Sequence, residues 1–63
     1  MLHPRTGDLV QFFPEISMFR PQLVPRKTTG IVTKAKGNYA EITWSTGIFE
    51  KDVHRRDIKV VRS

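Results

Sequence analysis

The chain has 63 residues, a formal net charge of +5 and no cysteine. This length allows a single domain, close to the lower limit for folding without disulfides or metal ions, and the missing cysteines exclude disulfides and thiolate metal sites. No segment approaches the roughly 20 apolar residues of a membrane-spanning helix, and the N-terminus lacks the apolar stretch of a signal peptide. We therefore expect a cytoplasmic protein without membrane attachment.

The positive charge is spread along the sequence, because the 11 Lys and Arg residues form no run longer than a pair. A surface with excess positive charge attracts polyanions, which makes nucleic acid a candidate partner. Small soluble domains also carry a few excess charges for solubility alone. Net charge by itself therefore leaves both interpretations open.

The first predicted strand is Leu9–Phe13, because Gly7-Asp8 marks a turn before it and Pro14 cannot continue it. Within this strand, Val10 and Phe12 are expected to point into the core. Leu9 and Phe13, the other two apolar residues of the strand, are expected to pack beneath the connection that follows.

That connection, Pro14–Thr29, is long for so small a domain, and its prolines oppose a regular element. Its apolar content argues against free disorder. One interpretation is a flap that folds back and closes one end of the domain. The other is an exposed anchor, in which Met18, Phe19 and Leu23 contact a partner protein or a second copy of the chain. The two interpretations are compatible, since a flap can bury some of these side chains and present others.

The cleanest alternation in the chain lies in Tyr39–Trp44, where Ala40, Ile42 and Trp44 occupy the even positions and polar or amphipathic residues the odd ones. This pattern predicts a half-buried antiparallel strand. We interpret it as the central strand of a small barrel, with Trp44 in the core.

The flanking segments complete a set of five short strands. The remaining elements are predicted as a strand at Gly30–Ala35, a hairpin turn at Lys36–Asn38, a turn at Ser45–Gly47, a strand at Ile48–Val53, a 3-10 turn within Val53–Asp57 and a last strand at Ile58–Val61. We expect a core built on Val10, Val32, Ile42, Trp44 and Val60. Closure into a barrel would protect the edges of such short strands.

Four stretches in this order carry a resemblance to a known architecture: Gly7–Val10, Thr29–Val32, Ala40–Gly47 and Val53–Val61. Together they resemble small SH3-like barrels, a group that includes Tudor-like and KOW-like modules and many short bacteriophage proteins. The resemblance covers residues 7–61 and implies an all-β, five-stranded barrel with a long first loop and a short 3-10 turn before the last strand. Residues 1–6 would be a flexible lead and 62–63 a tail. Similarity to phage proteins allows a viral source, which would place the protein in a host cytoplasm or a virion.

Nothing in the sequence points to catalysis, which needs a reactive group beside a partner that tunes it. His3 falls in the lead and His54 in a charged turn, so both are expected to be surface residues. The charged residues around that turn are expected to form exposed ion pairs: Glu50, Lys51, Asp52, Arg55 and Arg56. We therefore predict no enzyme, no cofactor, no metal site and no small-molecule substrate.

Two binding functions remain, and the sequence favours protein–protein interaction or assembly. The chain has six aromatic residues, more than so small a barrel can bury, and Tyr39 lies on the polar side of its strand. The candidate contact residues are Met18, Phe19, Leu23 and Tyr39.

The alternative is nucleic-acid binding, in which basic groups contact phosphates and an exposed aromatic ring stacks on a base. The candidate residues are Lys34, Lys36, Tyr39, Arg55, Arg56 and Lys59. Glu41 and Glu50 lie on the same strands and would weaken the local positive field.

Overall fold

The computed structural model of the chain describes residues 4–14 and 23–62. Five antiparallel strands form one sheet in these residues: β1 (Leu9–Phe12), β2 (Thr29–Lys36), β3 (Tyr39–Trp44), β4 (Phe49–His54) and β5 (Ile58–Arg62). A 3-10 turn, Arg55–Asp57, joins β4 to β5. The all-β class and the 3-10 turn before the last strand are therefore confirmed. None of the described residues belongs to a helix long and apolar enough to cross a membrane.

The strands are ordered β4-β3-β2-β1-β5 across the sheet. The prediction that Tyr39–Trp44 is the central strand is wrong, because β2 occupies the middle position. Alternation along a strand indicates that one side of the strand is buried, but it does not indicate which strands pair. Here β1 pairs with β2, which places β2 in the middle of the sheet. Within the described residues no pairing joins β4 to β5, so the sheet is not closed.

One apolar cluster forms the core, and every strand contributes to it. Its members are Val10, Phe12, Val24, Val32, Ala40, Ile42, Trp44, Val53 and Ile58. Four of the five predicted core residues are confirmed, whereas Val60 is only partly buried and packs against the cluster. Val60 lies on the edge strand β5, which has a neighbouring strand on one side only.

Trp44 is the largest side chain in this core and is 1% exposed. Its ring meets the Phe12 ring edge to face at a centroid distance of 5.6 Å. Its indole N–H donates a hydrogen bond to Oε1 of Glu50 at 2.9 Å. The sequence predicts Glu50 in an exposed ion pair, but its side chain is half-buried and accepts this bond. Glu50 lies opposite Ile42, an inward-pointing residue, which turns its carboxylate toward the indole.

Gly30 makes room for the tryptophan ring. It lies directly opposite Trp44 in the pairing of β2 with β3. A Cβ atom placed on Gly30 would lie 2.7 Å from both Cε3 of Trp44 and Cγ2 of Ile42. Real Cβ contacts are essentially never this short, so glycine at this position is required by close packing rather than by backbone conformation.

The two hairpin turns use glycine for its backbone freedom. Gly37 has φ 58° at the first position of the two-residue connection between β2 and β3, as type II′ turns prefer. Gly47 has φ 92° and donates its N–H to the carbonyl of Trp44 at 2.9 Å, which closes the turn before β4. Both turns lie where the sequence predicts them.

We predict that Gly30→Ala destabilises the fold by about 1 to 3 kcal/mol, because the added methyl group overpacks the contact with Trp44. Thermal unfolding of the purified variant measures this loss. Lys36→Ala, an exposed change on the same strand, is the control and should melt within a few degrees of the wild type. Equal melting temperatures for Gly30→Ala and the wild type would contradict the close contact.

Trp44→Ala should be more severe and cost about 3 to 5 kcal/mol, since it removes the largest core side chain and leaves a cavity. A domain this small has a stability of only about 5 kcal/mol, so the variant should keep at most about 2 kcal/mol and melt far below the wild type. Far-UV circular dichroism would show it. A cooperative melt close to that of the wild type would mean that Trp44 does not hold the core.

Candidate functional site

The outward-pointing residues of the sheet place exposed apolar side chains next to one another. Phe49 lies opposite Thr43, Thr43 opposite Ile31, and Ile31 opposite Leu9. On β5, Val61 lies at the irregularity in the pairing with Leu9 and is also exposed. We call these five residues the apolar row; it crosses all five strands.

The row is accessible to a partner. Ile31 is 44% exposed, Phe49 is 48% exposed and Val61 is 54% exposed, while Leu9 is half-buried. Ile48, 37% exposed, adjoins Phe49 along the chain. Single exposed apolar residues are ordinary on a protein surface, but a contiguous set is characteristic of an interaction site.

Sequence reasoning missed the apolar row. Its members come from five different strands, and only the strand pairing brings them together. Part of the signal was present, because Ile31 lies on the opposite side of its strand from the buried Val32. Alternation alone would place Phe49 on the same side as the buried Val53, and only the extra residue that β4 carries in its pairing with β3 separates them. An apolar residue on the outward side of a strand marks a candidate contact, but its neighbours cannot be assigned without the register.

A cleft of about 360 Å³ lies at the hairpin between β2 and β3. Three of the predicted nucleic-acid residues line it, namely Lys34, Lys36 and Tyr39. Glu41 and Asp52 line the same cleft, and Glu41 lies directly opposite Lys34 in the sheet. The two carboxylates offset the two lysine charges, so the lining as a whole is of mixed sign.

Tyr39 is 49% exposed, which confirms its predicted surface position. Its ring meets the ring of His54, the residue opposite it on β4, edge to face at 5.2 Å. Nδ1 of His54 in turn accepts a hydrogen bond from the backbone N–H of Arg56 at 3.1 Å. His54 is half-buried, and its side chain caps the start of the 3-10 turn. It is therefore not a fully exposed surface residue.

The 3-10 turn is fixed at both ends by backbone hydrogen bonds. At its start, the N–H of Arg55 donates to the carbonyl of Asn38 at the hairpin tip, at 2.9 Å. At its end, the carbonyl of Asp57 accepts from the N–H of Phe13 at 2.8 Å. The structure thus brings the backbone of Arg55 beside the hairpin.

Lys59, by contrast, belongs to a different surface. Its Nζ lies 5.9 Å from the centre of the Phe13 ring, and Cζ of Arg26 lies 4.4 Å from the same centre. Phe13 was expected beneath the long connection, and Arg26 of that connection does cover one side of it, although the phenylalanine remains 37% exposed. The predicted nucleic-acid residues therefore do not form one surface; the remaining one, Arg56, is exposed in the 3-10 turn.

The predicted protein-contact residues are only partly described. Met18 and Phe19 lie outside the described residues. Leu23 is 57% exposed, whereas the next residue, Val24, is 2% exposed and belongs to the core. In its described part, the connection therefore buries one apolar side chain and presents another.

Within the described ranges, no group of three or more His, Cys, Asp or Glu residues is placed to hold a metal ion. The buried side-chain polar atoms there all have hydrogen-bond partners. No family model matches the chain, and no match was found among curated proteins or solved structures. The candidate sites therefore depend on the geometry of this chain alone.

Proposed function

We propose that the protein is a small, non-catalytic binding module that makes a protein–protein contact through the apolar row. The supporting observation is that the strand register lines up the exposed side chains of Phe49, Ile31 and Val61 across the sheet. Fully burying a large apolar side chain is worth roughly 1.5 to 3 kcal/mol, and covering the exposed half of each row residue contributes about half of that. Several such side chains side by side are sufficient to act as the anchor of an interface.

The surroundings of the row also fit a protein partner. On the same outward side of the sheet, Tyr39 and the mixed-charge cleft supply an aromatic ring and charges of both signs. Protein interfaces combine an apolar centre with a polar rim in this way. Because its two lysines and two carboxylates offset each other, the cleft has no excess positive charge to attract a polyanion, and this side of the sheet favours a protein.

We further propose that the fold is an SH3-like barrel left open between its edge strands. Val53 of β4 and Ile58 of β5 belong to the same core cluster, although the two strands are not paired. The 3-10 turn between them is short enough to keep the two edges near each other. The same barrel carries many functions, so the proposed binding role depends on the row and not on the fold.

The test replaces two row residues at once, in Ile31→Ser/Phe49→Ser. A photo-crosslinking amino acid is placed at position 43, between these two residues. It forms a covalent adduct with any molecule that covers the row, in a cell extract or in the purified protein. We expect a specific adduct, either with another protein or with a second copy, that decreases by about tenfold in the double variant, as loss of buried apolar anchors requires. The double variant should remain folded, because both side chains are about half exposed and neither belongs to the core cluster.

Lys51→Ser is the matched control, an exposed change on β4 outside the row. Leu23→Ser separates the row from the long connection, since it removes an exposed apolar residue of that connection. An adduct that survives the double variant but is lost in Leu23→Ser would contradict the row as the contact. Absence of any adduct at Thr43, together with a monomer in ultracentrifugation, would also contradict it.

A further inference from the structure

We propose that a second surface, formed by Phe13, Arg26, Lys27 and Lys59, binds single-stranded nucleic acid. We call these four residues the Phe13 site. The proposal is independent of the protein contact at the apolar row, since it uses different residues and a different kind of partner.

The centre of the Phe13 site is an aromatic ring contacted by two cations. The Arg26 guanidinium lies over the Phe13 ring, with Cζ 4.4 Å from its centre, and Lys59 places Nζ 5.9 Å from the same point. These are distances at which cations are attracted to an aromatic ring. The Phe13 backbone is itself held, because its N–H donates to the carbonyl of Asp57. The backbone at the centre of the site is therefore fixed to the 3-10 turn.

A tight turn places Lys27 beside Arg26. The backbone N–H and the hydroxyl of Thr28 both donate to the carbonyl of Pro25, at 3.2 Å and 2.7 Å. Lys27 is fixed by its own N–H, which donates to the carbonyl of Phe12 at 2.7 Å, and by its carbonyl, which accepts from Nε2 of Gln11 at 3.2 Å.

Lys27 occupies a conformation that favours glycine. Its φ is 75°, in the left-handed region that side chains with a Cβ atom rarely adopt. Glycine at this position would remove the conformational cost, yet the chain carries a lysine. Strained residues of this kind cluster at functional sites, where the side chain has a role that offsets the strain. We include Lys27 in the proposed site on this ground and because it follows Arg26 directly in the chain.

The chemistry of the Phe13 site fits a single strand. A guanidinium stacked on an aromatic ring presents its other planar side, on which a nucleic-acid base can stack. Lys27 and Lys59 supply positive charges for the phosphates on either side of that base. In a duplex the bases are already stacked, so one exposed stacking surface selects an unpaired strand.

The Phe13 site differs in charge from the hairpin cleft. It contains three cations, whereas the cleft balances two lysines with two carboxylates. The acidic residue Asp57 contacts Phe13 through its backbone carbonyl, and the Asp57 side chain is half-buried. Of the basic residues predicted for nucleic acid, Lys59 is the one that lies in the Phe13 site, and Arg26 and Lys27 are additions from the structure.

The test measures fluorescence anisotropy of a labelled oligothymidine of about twelve nucleotides, a length that spans one small binding domain. Lys27→Gly is the decisive variant, because it removes a charge and relieves the backbone strain at once. This variant should melt no lower than the wild type and should bind the oligonucleotide at least about threefold more weakly. The slope of log affinity against log salt concentration should become shallower by about 0.7, the value for one phosphate contact on a single strand. Arg26→Ala should weaken binding by about tenfold, since it also removes the stacking surface.

Lys51→Ala is the control for loss of charge elsewhere, and Lys36→Ala for the hairpin cleft. Both should bind within about twofold of the wild type, because an exposed charge away from the contact acts only through the screened field. Failure of the wild type to bind at low salt would overturn the proposal. The proposal would also be overturned if Lys27→Gly and Lys51→Ala lost affinity equally, or if Lys36→Ala lost more affinity than Lys27→Gly. Competition by polyglutamate as effective as that by unlabelled oligothymidine would also overturn it, since the site would then bind any acidic chain.

Discussion

The packing of Trp44 against Gly30 is the contact on which the rest of the structure depends. The tryptophan ring fills space on β2 that any side chain at position 30 would block. Its edge-to-face contact with Phe12 secures β1, and its hydrogen bond to Glu50 secures β4. One side chain on β3 thereby joins four of the five strands. In a chain without disulfides, such a shared contact is the principal source of cooperativity.

This contact also determines what the outside of the sheet presents. Successive side chains in a strand point to opposite sides, so a register that directs Trp44, Ile42 and Val32 inward directs their chain neighbours outward. A slip of one residue would bury the apolar row and expose the core. The exposed row of Phe49, Ile31 and Val61 is thus a consequence of the same register that builds the core. The register therefore cannot shift without repacking the tryptophan.

Much of the fold could be predicted from the sequence, because strands and turns are encoded locally. Alternation located the strands, and Gly37 and Gly47 marked the turns. The partly buried position of Val60 and the strand order could not be predicted, because both depend on which strands pair. The role of Gly30 was missed for a similar reason: glycine at a strand start is common, and its contact with Trp44 appears only once β2 and β3 are in register.

The candidate sites were less predictable than the fold. Lys34, Lys36 and Tyr39 could be grouped correctly because they lie on one hairpin, but the mixed charge of their cleft depends on Asp52 from another strand. Phe13, Arg26 and Lys59 are far apart in the chain, and no local pattern links them. The contribution proposed for Met18 and Phe19 stays a prediction, since both lie outside the described residues.

The register of β2, β3 and β4 can be measured directly by nuclear Overhauser contacts in the isotope-labelled protein. Side-chain contacts should run from the Phe49 ring to the Thr43 methyl group and from that methyl group to Ile31. The Trp44 ring should contact the α-protons of Gly30 and the side chain of Phe12, but not Ile31. Contacts between the Trp44 ring and the side chains of Ile31 or Phe49 would contradict the register, and with it both the core and the proposed binding row.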